Sequence, residues 1–293
     1  MSSSRRLAVK IAVLVAPVVA LSAGIGLGGT ALRSASLRLF GPPGHAFGAS
    51  NAEFVVPDRT WAEPISRFYD DYRERFGKSH PFGKALSPLN KKLTILVTTS
   101  RRAFEEVARS ETGARLEYNS GYFTANKARI IVEVTNLEKD PPRALEEAKI
   151  SLSHELVHAI LHYSAPEAQW SPWLSEGVAQ WGETSTPDRA LGALNVDRLK
   201  SADLRPGLLK ELLVVSQDKF SGVDNLRYYY AAYALVAFLL DKESGYRPSF
   251  IAYFAEEAKA LPLNSPARFR ELVGEIDEVE TKWIAWVKQQ QTR

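Results

Sequence analysis

One predicted helix near the middle of the chain carries two histidines and a glutamate close together among largely apolar residues. Asp140 followed by Pro141 is typical of an amino-terminal cap and first turn, and the helical pattern then runs to about Tyr163. Apolar side chains cover most of its circumference, which is typical of a helix buried on nearly all sides. Burying two histidines and a glutamate there without partners costs several kcal/mol. The fold must therefore supply a partner for them, and a metal ion would do so.

These three residues are His154, Glu155 and His158, in the pattern H-E-x-x-H. Residues four apart lie on one face of a helix, so both imidazoles can reach a single metal ion. Glu155 points to a neighbouring part of that face, where it can take a proton from a metal-bound water. Zinc lowers the pKa of such a water from about 15.7 to about 7. We therefore predict a zinc site; the alternative is an accidental pair on a solvated helix, which the apolar surroundings disfavour.

A catalytic zinc ion normally has three protein ligands, and the chain has no cysteine to offer. His162 is one turn farther along the same helix, but three successive turns of about 5.4 Å each span too far for one ion. Glu176 lies on a second predicted helix, opened by Ser171-Pro172, which a short link brings back antiparallel. Glu183, two turns later, could instead be an exposed carboxylate. We favour Glu176 as the third ligand and place His162 at the rim.

Strand patterns precede this helix pair and helical patterns follow it, which indicates an α+β fold with a small amino-terminal sheet and a carboxy-terminal helical region. Strands are predicted at 93–98, 121–123 and 128–134, the last two as a hairpin. The strand at 128–134 is also the candidate to line the cleft and pair with an extended substrate, unless it is an ordinary core strand. Further helices are predicted at about 61–76, 206–215, 225–242, 247–260 and 266–290.

The amino terminus has the pattern of an export signal. Arg5, Arg6 and Lys10 precede an apolar run over 11–29, about the length that a bilayer-spanning helix needs. Basic residues on the amino side predict that this end stays in the cytoplasm while the remainder is exported. We interpret residues 1–40 as a signal peptide or membrane anchor. An extracytoplasmic location is expected, in the periplasm or at the cell surface, anchored by this helix or secreted after cleavage.

The rest of the chain is predicted to be a linker followed by one domain. Residues 41–60 are rich in glycine and proline and indicate a linker, which leaves 61–293 as a single catalytic domain. The formal net charge is +3, and there is no dense stripe of lysine and arginine. This composition disfavours a nucleic-acid partner.

Two segments together resemble a known family. HELVHAILHY followed by PWLSEGVAQW is similar to the gluzincin metallopeptidases, in particular the peptidase MA-like group, and the similarity spans about residues 90–290. The resemblance implies a zincin-like fold and a bound Zn²⁺. It also implies that His154, His158 and Glu176 are the ligands and that Glu155 is the general base.

The resemblance also suggests a donor for the oxyanion and a type of cleavage. Gluzincins commonly use a tyrosine or histidine from a later helix, and here Tyr230 is the first choice and Tyr233 the second; ordinary core packing is the alternative. Where thermolysin-type relatives have an aspartate that orients a ligand imidazole, this chain has Gln180, which could accept the same hydrogen bond without charge. The G-x-M-E-N motif of aminopeptidase relatives is missing, which favours an endopeptidase.

The sequence thus predicts a zinc-dependent peptidase that acts on peptides or proteins and meets the membrane through its amino-terminal segment. Two alternatives remain open. One is a non-catalytic binding or scaffold protein that keeps the gluzincin fold. The other is a zinc hydrolase of a non-peptide amide, because H-E-x-x-H does not distinguish between amide substrates.

Overall fold

The fold is mixed α+β, as predicted, with one small sheet and a majority of helices. The predicted export segment, residues 1–40, lies outside the described part of the chain. No helix within the described part is both long enough and apolar enough to cross a membrane. The computed structural model describes residues 45–48, 51–113, 120–135, 137–183, 194–221, 225–259 and 265–292.

The sheet has five strands in the order β1-β2-β3-β5-β4. The two central pairings, β2 with β3 and β3 with β5, are parallel, whereas the outer pairings, β1 with β2 and β4 with β5, are antiparallel. The strands are β1 (His45–Gly48), β2 (Ala52–Val56), β3 (Leu93–Thr98), β4 (Gly121–Thr124) and β5 (Arg129–Glu133).

The predicted linker at 41–60 is wrong for the part of it that the structure describes. That part contributes β1 and β2 to the sheet. Ala52, Phe54 and Val56 are fully buried and alternate with partly exposed residues, which is the pattern of a strand with one face on the core. The rings of Phe47 and Phe54 stack across the two strands with centroids 4.9 Å apart.

The predicted hairpin is confirmed, because β4 and β5 pair antiparallel with Tyr122 opposite Ile131. The predicted role of 128–134 as a substrate-pairing strand is wrong. β5 lies between β3 and β4, so both of its edges already form hydrogen bonds within the sheet. Among the described strands, β4 is the one at this edge of the sheet.

Helices account for most of the remaining chain, close to where the periodic patterns predict them. The predicted helix at 266–290 is divided in two at Gly274, whose φ of 144° is rarely adopted by residues with a side chain. The helices are α1 (Ala62–Ser79), α2 (Arg101–Thr112), α3 (Pro141–Ser164), α4 (Pro172–Glu183), α5 (Val196–Ser201), α6 (Leu208–Val214), α7 (Gln217–Ser221), α8 (Asn225–Leu240), α9 (Arg247–Glu257), α10 (Ser265–Leu272) and α11 (Ile276–Gln291).

Both faces of the sheet are covered. α2 packs on one face, where Phe104 meets Tyr122 and Ile131 in a small apolar cluster. α1 and α3 pack on the other face, which belongs to the main core. α4 and α8 continue that core away from the sheet, and residues 231–236 of α8 are fully buried. This arrangement holds α3 between the sheet and α4.

Candidate metal centre

α3 carries the two histidines of the H-E-x-x-H pattern in its buried second half. Asp140 caps the helix by accepting a hydrogen bond from the backbone N–H of Arg143 at 3.2 Å, and proline follows at the first helical position. From Ser151 to Leu161 every residue is buried. The histidines therefore face protein on all sides, as their apolar surroundings predict.

The structure brings His154, His158 and Glu176 together. The Nε2 atoms of the two histidines lie 3.1 Å apart. Oε2 of Glu176 lies 3.3 Å from Nε2 of His154 and 3.6 Å from Nε2 of His158. All three side chains are buried, and one nitrogen or oxygen of each lies within 4.8 Å of the others, so the group could hold a metal ion.

The position of Glu176 depends on how α4 begins and what it packs against. Ser171, just before the helix, donates from its backbone N–H to Glu257 Oε2 at 3.0 Å and from its hydroxyl to both oxygens of that carboxylate. One residue after Glu176, Gly177 packs directly on the backbone of α8, where a β-carbon would lie 2.7 Å from the carbonyl oxygen of Ala232. The carboxylate of Glu257 at the amino end of α4 and the close crossing of α4 with α8 together fix the position of α4.

The outer nitrogens of both histidines have partners. His154 Nδ1 is hydrogen-bonded to Oε1 of Glu183, and His158 Nδ1 lies 3.1 Å from Oγ of Ser175. An ionised carboxylate can only accept, so Nδ1 of a neutral His154 carries the proton and Nε2 presents a lone pair. These contacts orient both rings with Nε2 towards Glu176.

The residue that orients His154 differs from the prediction. In the described structure Gln180 forms no hydrogen bond with His154; its side-chain oxygen instead accepts from Arg198 Nη1 at 3.3 Å. Glu183 is not an exposed carboxylate either, because it is buried, paired with His154 on one oxygen and with Arg198 on the other. The sequence did offer a signal for Glu183, because it is an acidic residue two turns after Glu176 on a helix whose remaining residues, apart from Gln180, are apolar or small.

Charges around the centre set the protonation of its residues. Burial alone would lower the pKa of His154, but Glu183 and Glu176 outweigh it and raise that pKa to about 10. Burial holds the pKa of His158 below its ordinary value. Burial would raise the pKa of Glu176, yet the two histidines hold it below its ordinary value. Glu176 is therefore an ionised carboxylate in a buried site.

Glu155 lies beside the group without joining it. Its side chain is fully buried, and neither carboxylate oxygen forms a hydrogen bond of normal geometry with a described residue. Burial raises its pKa to about 8, although His154 acts in the opposite direction. A β-carbon on Gly121 of β4 would lie 2.8 Å from Oε1 of Glu155, so the absence of a side chain on this strand makes room for the carboxylate.

The other predicted residues do not belong to the group of His154, His158 and Glu176. His162 is partly exposed, with its ring against Phe123 and Tyr163 at centroid distances of 5.9 and 5.0 Å, and it does not belong to the candidate metal group. Tyr233 is buried, and its hydroxyl accepts from the backbone N–H of Asn195 at 2.6 Å. Tyr230, on the same helix, is partly buried against the main core.

The donor atoms of the group fit a cation. The Nε2 atoms of both histidines converge with the carboxylate of Glu176, neither of whose oxygens forms a hydrogen bond of normal geometry with a described residue. A buried carboxylate that accepts no hydrogen bond leaves its hydrogen-bonding capacity unused. A metal ion that displaced the proton of His154 would bind both Nε2 atoms and satisfy the carboxylate at once. Two imidazoles and one carboxylate, with no thiolate, are ligands that zinc accepts.

No protein-family model matches the chain, and no curated protein matches it significantly.

Proposed function

We propose that the protein is a zinc-dependent peptidase, with a zincin-like fold of the gluzincin type, that hydrolyses peptide bonds within peptides or proteins. One observation carries the proposal. The Nε2 atoms of His154 and His158 and the carboxylate of Glu176 converge in a buried site, and the unpaired carboxylate of Glu155 lies next to them. A metal ligand set beside a free acid–base group is the arrangement that metal-assisted hydrolysis requires.

His154, His158 and Glu176 would hold the zinc ion, which leaves one coordination position open. When bound, zinc supplies Lewis acidity, which activates water and polarises a carbonyl oxygen. Ser175 and Glu183 keep the imidazoles oriented through their Nδ1 atoms, so that the Nε2 lone pairs stay directed at the ligand position.

Glu155 moves the proton. An attacking water must lose a proton, and the leaving amine nitrogen must gain one. A carboxylate oxygen of Glu155 accepts the first proton and delivers it to that nitrogen. Without a bound metal ion, burial raises its pKa to about 8; the positive charge of a bound zinc ion would favour the ionised form, which accepts the proton. Burial keeps competing solvent away from it during the transfer.

Tyr230 is the proposed donor to the oxyanion that forms at the scissile carbonyl. Tyr233 is the weaker choice, because its hydroxyl accepts a hydrogen bond from Asn195 and its side chain is fully buried. Tyr230 is partly exposed on the same helix and lies near Arg198, which pairs with Glu183 beside the centre. A phenol in that position can donate once a substrate is bound.

The proposal includes the substrate class and the location. We propose endopeptidase activity, since the chain has no G-x-M-E-N motif, and we propose that residues 1–40 direct the protein out of the cytoplasm as a signal peptide or anchor. Substrates would then be extracytoplasmic peptides or proteins.

The direct test is Glu155→Gln in the full chain, assayed for bound zinc and for cleavage of an internally quenched peptide library. Zinc content should stay at the wild-type level while hydrolysis falls by about 10²–10⁴-fold, the range for losing a general base. Glu147→Gln is the matched control, because it removes a carboxylate from a partly exposed position on the same helix. Both zinc content and hydrolysis should be unchanged in this control.

Three outcomes would contradict the proposal. Wild-type protein without affinity for zinc would remove the metal centre altogether. Zinc-bound wild type without hydrolysis of any peptide would indicate a binding or scaffold protein, or a hydrolase of a non-peptide amide. Equal hydrolysis by Glu155→Gln and wild type would exclude Glu155 as the base.

A further inference from the structure

We infer that Arg198 is a positioning residue for the metal centre, and that it acts through Glu183 to fix the imidazole of His154. The inference rests on the proposed function, because it concerns how tightly the same centre holds its metal. Arg198 lies on α5, which is separate in the chain from both helices that supply the ligands.

A continuous chain of contacts links the guanidinium to the proposed ligand. Nη2 of Arg198 forms an ion pair with Oε2 of Glu183, and Oε1 of the same carboxylate is hydrogen-bonded to Nδ1 of His154. Each oxygen of Glu183 thus has its own partner, one on either side. The plane of the carboxylate is fixed by two contacts, and the imidazole ring is fixed by the carboxylate.

Arg198 is itself held firmly. Its Nη1 donates to the backbone oxygen of Gln180 at 3.1 Å, and its guanidinium carbon lies 5.6 Å from the centre of the Tyr233 ring. The backbone N–H of Arg198 donates to the side chain of Asn195 at 3.1 Å. Because Asn195 also donates from its own backbone to the hydroxyl of Tyr233, the start of α5 is tied to α8. The guanidinium is therefore fixed between α4 and α8.

Charge balance makes Arg198 more than a packing contact. The carboxylates of Glu155, Glu176 and Glu183 are all buried in one region. Among the described residues, Arg198 is the one arginine or lysine that pairs with any of them. Removing a single partner from a buried pair leaves the other charge uncompensated, which is more damaging than losing an exposed pair. Without Arg198, Glu183 would lose one of its two fixed contacts and His154 would lose its fixed orientation.

The test compares Arg198→Met, Arg198→Lys and wild type in the full chain. Zinc affinity is measured by competition with a chromophoric chelator, and the visible spectrum of the cobalt-substituted protein reports the ligand geometry. Arg198→Met should weaken zinc binding by about 10–100-fold, the range for losing a group that supports a metal ligand. It should also shift the cobalt bands, and Arg198→Lys should restore part of both.

Arg129→Met is the matched control. Arg129 forms a similarly buried ion pair with Glu111, but on the sheet face covered by α2. This variant should lose stability while keeping zinc affinity within about twofold of wild type. Glu183→Gln serves as the second variant if Arg198→Met does not fold, since the amide keeps an acceptor for His154 and loses the ion pair. The double variant Arg198→Met/Glu183→Gln should bind zinc no more weakly than the weaker single variant, because both act through one chain of contacts.

The failures can be told apart. Wild type that binds neither zinc nor cobalt would overturn the proposed function and this inference together. If wild type binds zinc and Arg198→Met has the same zinc affinity and the same cobalt spectrum as wild type, this inference alone is overturned. Equal loss of zinc affinity in Arg198→Met and Arg129→Met would also overturn it, because general destabilisation would then explain the effect.

Discussion

Gly121 and Glu155 are in direct contact across the gap between sheet and helix: a β-carbon on the glycine would lie 2.8 Å from Oε1 of the glutamate. Gly121→Ala should therefore push the carboxylate aside. A displacement of about 1 Å in a reacting group costs up to about 10²-fold in rate, so we expect kcat for peptide cleavage to fall by about 10–100-fold. Zinc content should not change, because the ligands are untouched.

Gly48→Ala controls for the general effect of alanine in a strand, since a β-carbon there meets nothing within 4 Å. Its kcat should match that of wild type. Normal turnover by Gly121→Ala would show that the position of Glu155 is not critical for the reaction.

Gly177→Ala should destabilise the protein. Its β-carbon would lie 2.7 Å from the backbone oxygen of Ala232 and 2.8 Å from a methyl group of Val236. A backbone atom cannot turn aside, so α4 must move away from α8 at an overpacking cost of about 1–3 kcal/mol. Guanidinium unfolding in the presence of a chelator measures this loss without the contribution of a metal.

The helical control is Gly77→Ala, where a β-carbon has open space around it. Alanine in a helix is favoured over glycine by up to about 1 kcal/mol, so this variant should equal or exceed wild type in stability. Equal stabilities for Gly77→Ala and Gly177→Ala would contradict the close crossing of α4 and α8.

Ser175→Ala should weaken metal binding. The hydroxyl of Ser175 lies 3.1 Å from Nδ1 of His158, and its loss leaves the outer nitrogen of this imidazole without a partner. We expect the zinc dissociation constant to rise by about tenfold, at the low end for removing such support. In Ser153→Ala the lost hydroxyl bonds only to the backbone oxygen of Ile150 in the described structure, so zinc affinity should be retained. Weaker zinc binding by Ser153→Ala than by Ser175→Ala would contradict the orientation of His158 by Ser175.

Glu257→Gln should change how stability depends on pH. Burial raises the pKa of Glu257 above its ordinary value, although Tyr253 and Ser171 donate hydrogen bonds to it. The folded protein therefore binds this proton more tightly than the unfolded chain does. The resulting stabilisation is fully present below the unfolded pKa of about 4.3 and is lost as pH rises through the folded pKa. The free energy of unfolding of wild type, minus that of the variant, should accordingly fall as the pH rises above about 4.3.

Denaturant unfolding at several pH values, with chelator present, measures that difference. Glu278→Gln provides a control of opposite sign, because Lys282 lowers the pKa of this exposed carboxyl. The free energy of unfolding of wild type, minus that of Glu278→Gln, should rise with pH. The change should be smaller than for Glu257→Gln, since solvent screens the exposed pair of Glu278 and Lys282. A pH-independent difference for Glu257→Gln would mean that the carboxyl has the same proton affinity in both states.

The convergence of His154, His158 and Glu176 could be predicted because short-range geometry determines it. His154 and His158 are one helical turn apart, and the short link before α4 returns the next helix alongside the first. With Glu176 near the start of that second helix, all three side chains meet without any information about the rest of the fold. The same reasoning excludes His162, whose ring lies away from the group against Phe123.

The residues that support this group were harder to predict. Gln180 is one turn from Glu176 and was the expected partner of a ligand imidazole, but Glu183, nearly two full turns away, lies on the same face and has the longer reach. Arg198 follows after residues 184–193, so no periodicity connects it to α4. Only the tertiary position of α5 reveals it.

In the sheet, too, the features that depend on the surrounding sequence or on long-range contacts were harder to predict than those set by local patterns. Alternating burial in β2 was hidden by the glycines and prolines on either side of it, which led to the prediction of a linker. The strand order could not be read from periodicity, because pairing β3 with β5 rather than with β4 depends on long-range contacts. The strand next to Glu155 is therefore β4, although β5 has the stronger apolar pattern.

The helix α4, which carries Glu176, is enclosed by segments that follow it in the chain and are therefore synthesised after it. Trp173 packs against Phe250, Tyr253 and Phe269, and α8 covers the opposite side at Gly177. During synthesis from the amino end, these packing partners emerge after the helices that carry His154, His158 and Glu176, so the candidate metal centre is enclosed only once the later helices have been made. If the chain is exported in the same direction, as proposed above, the candidate centre would be completed only after these later helices have crossed the membrane.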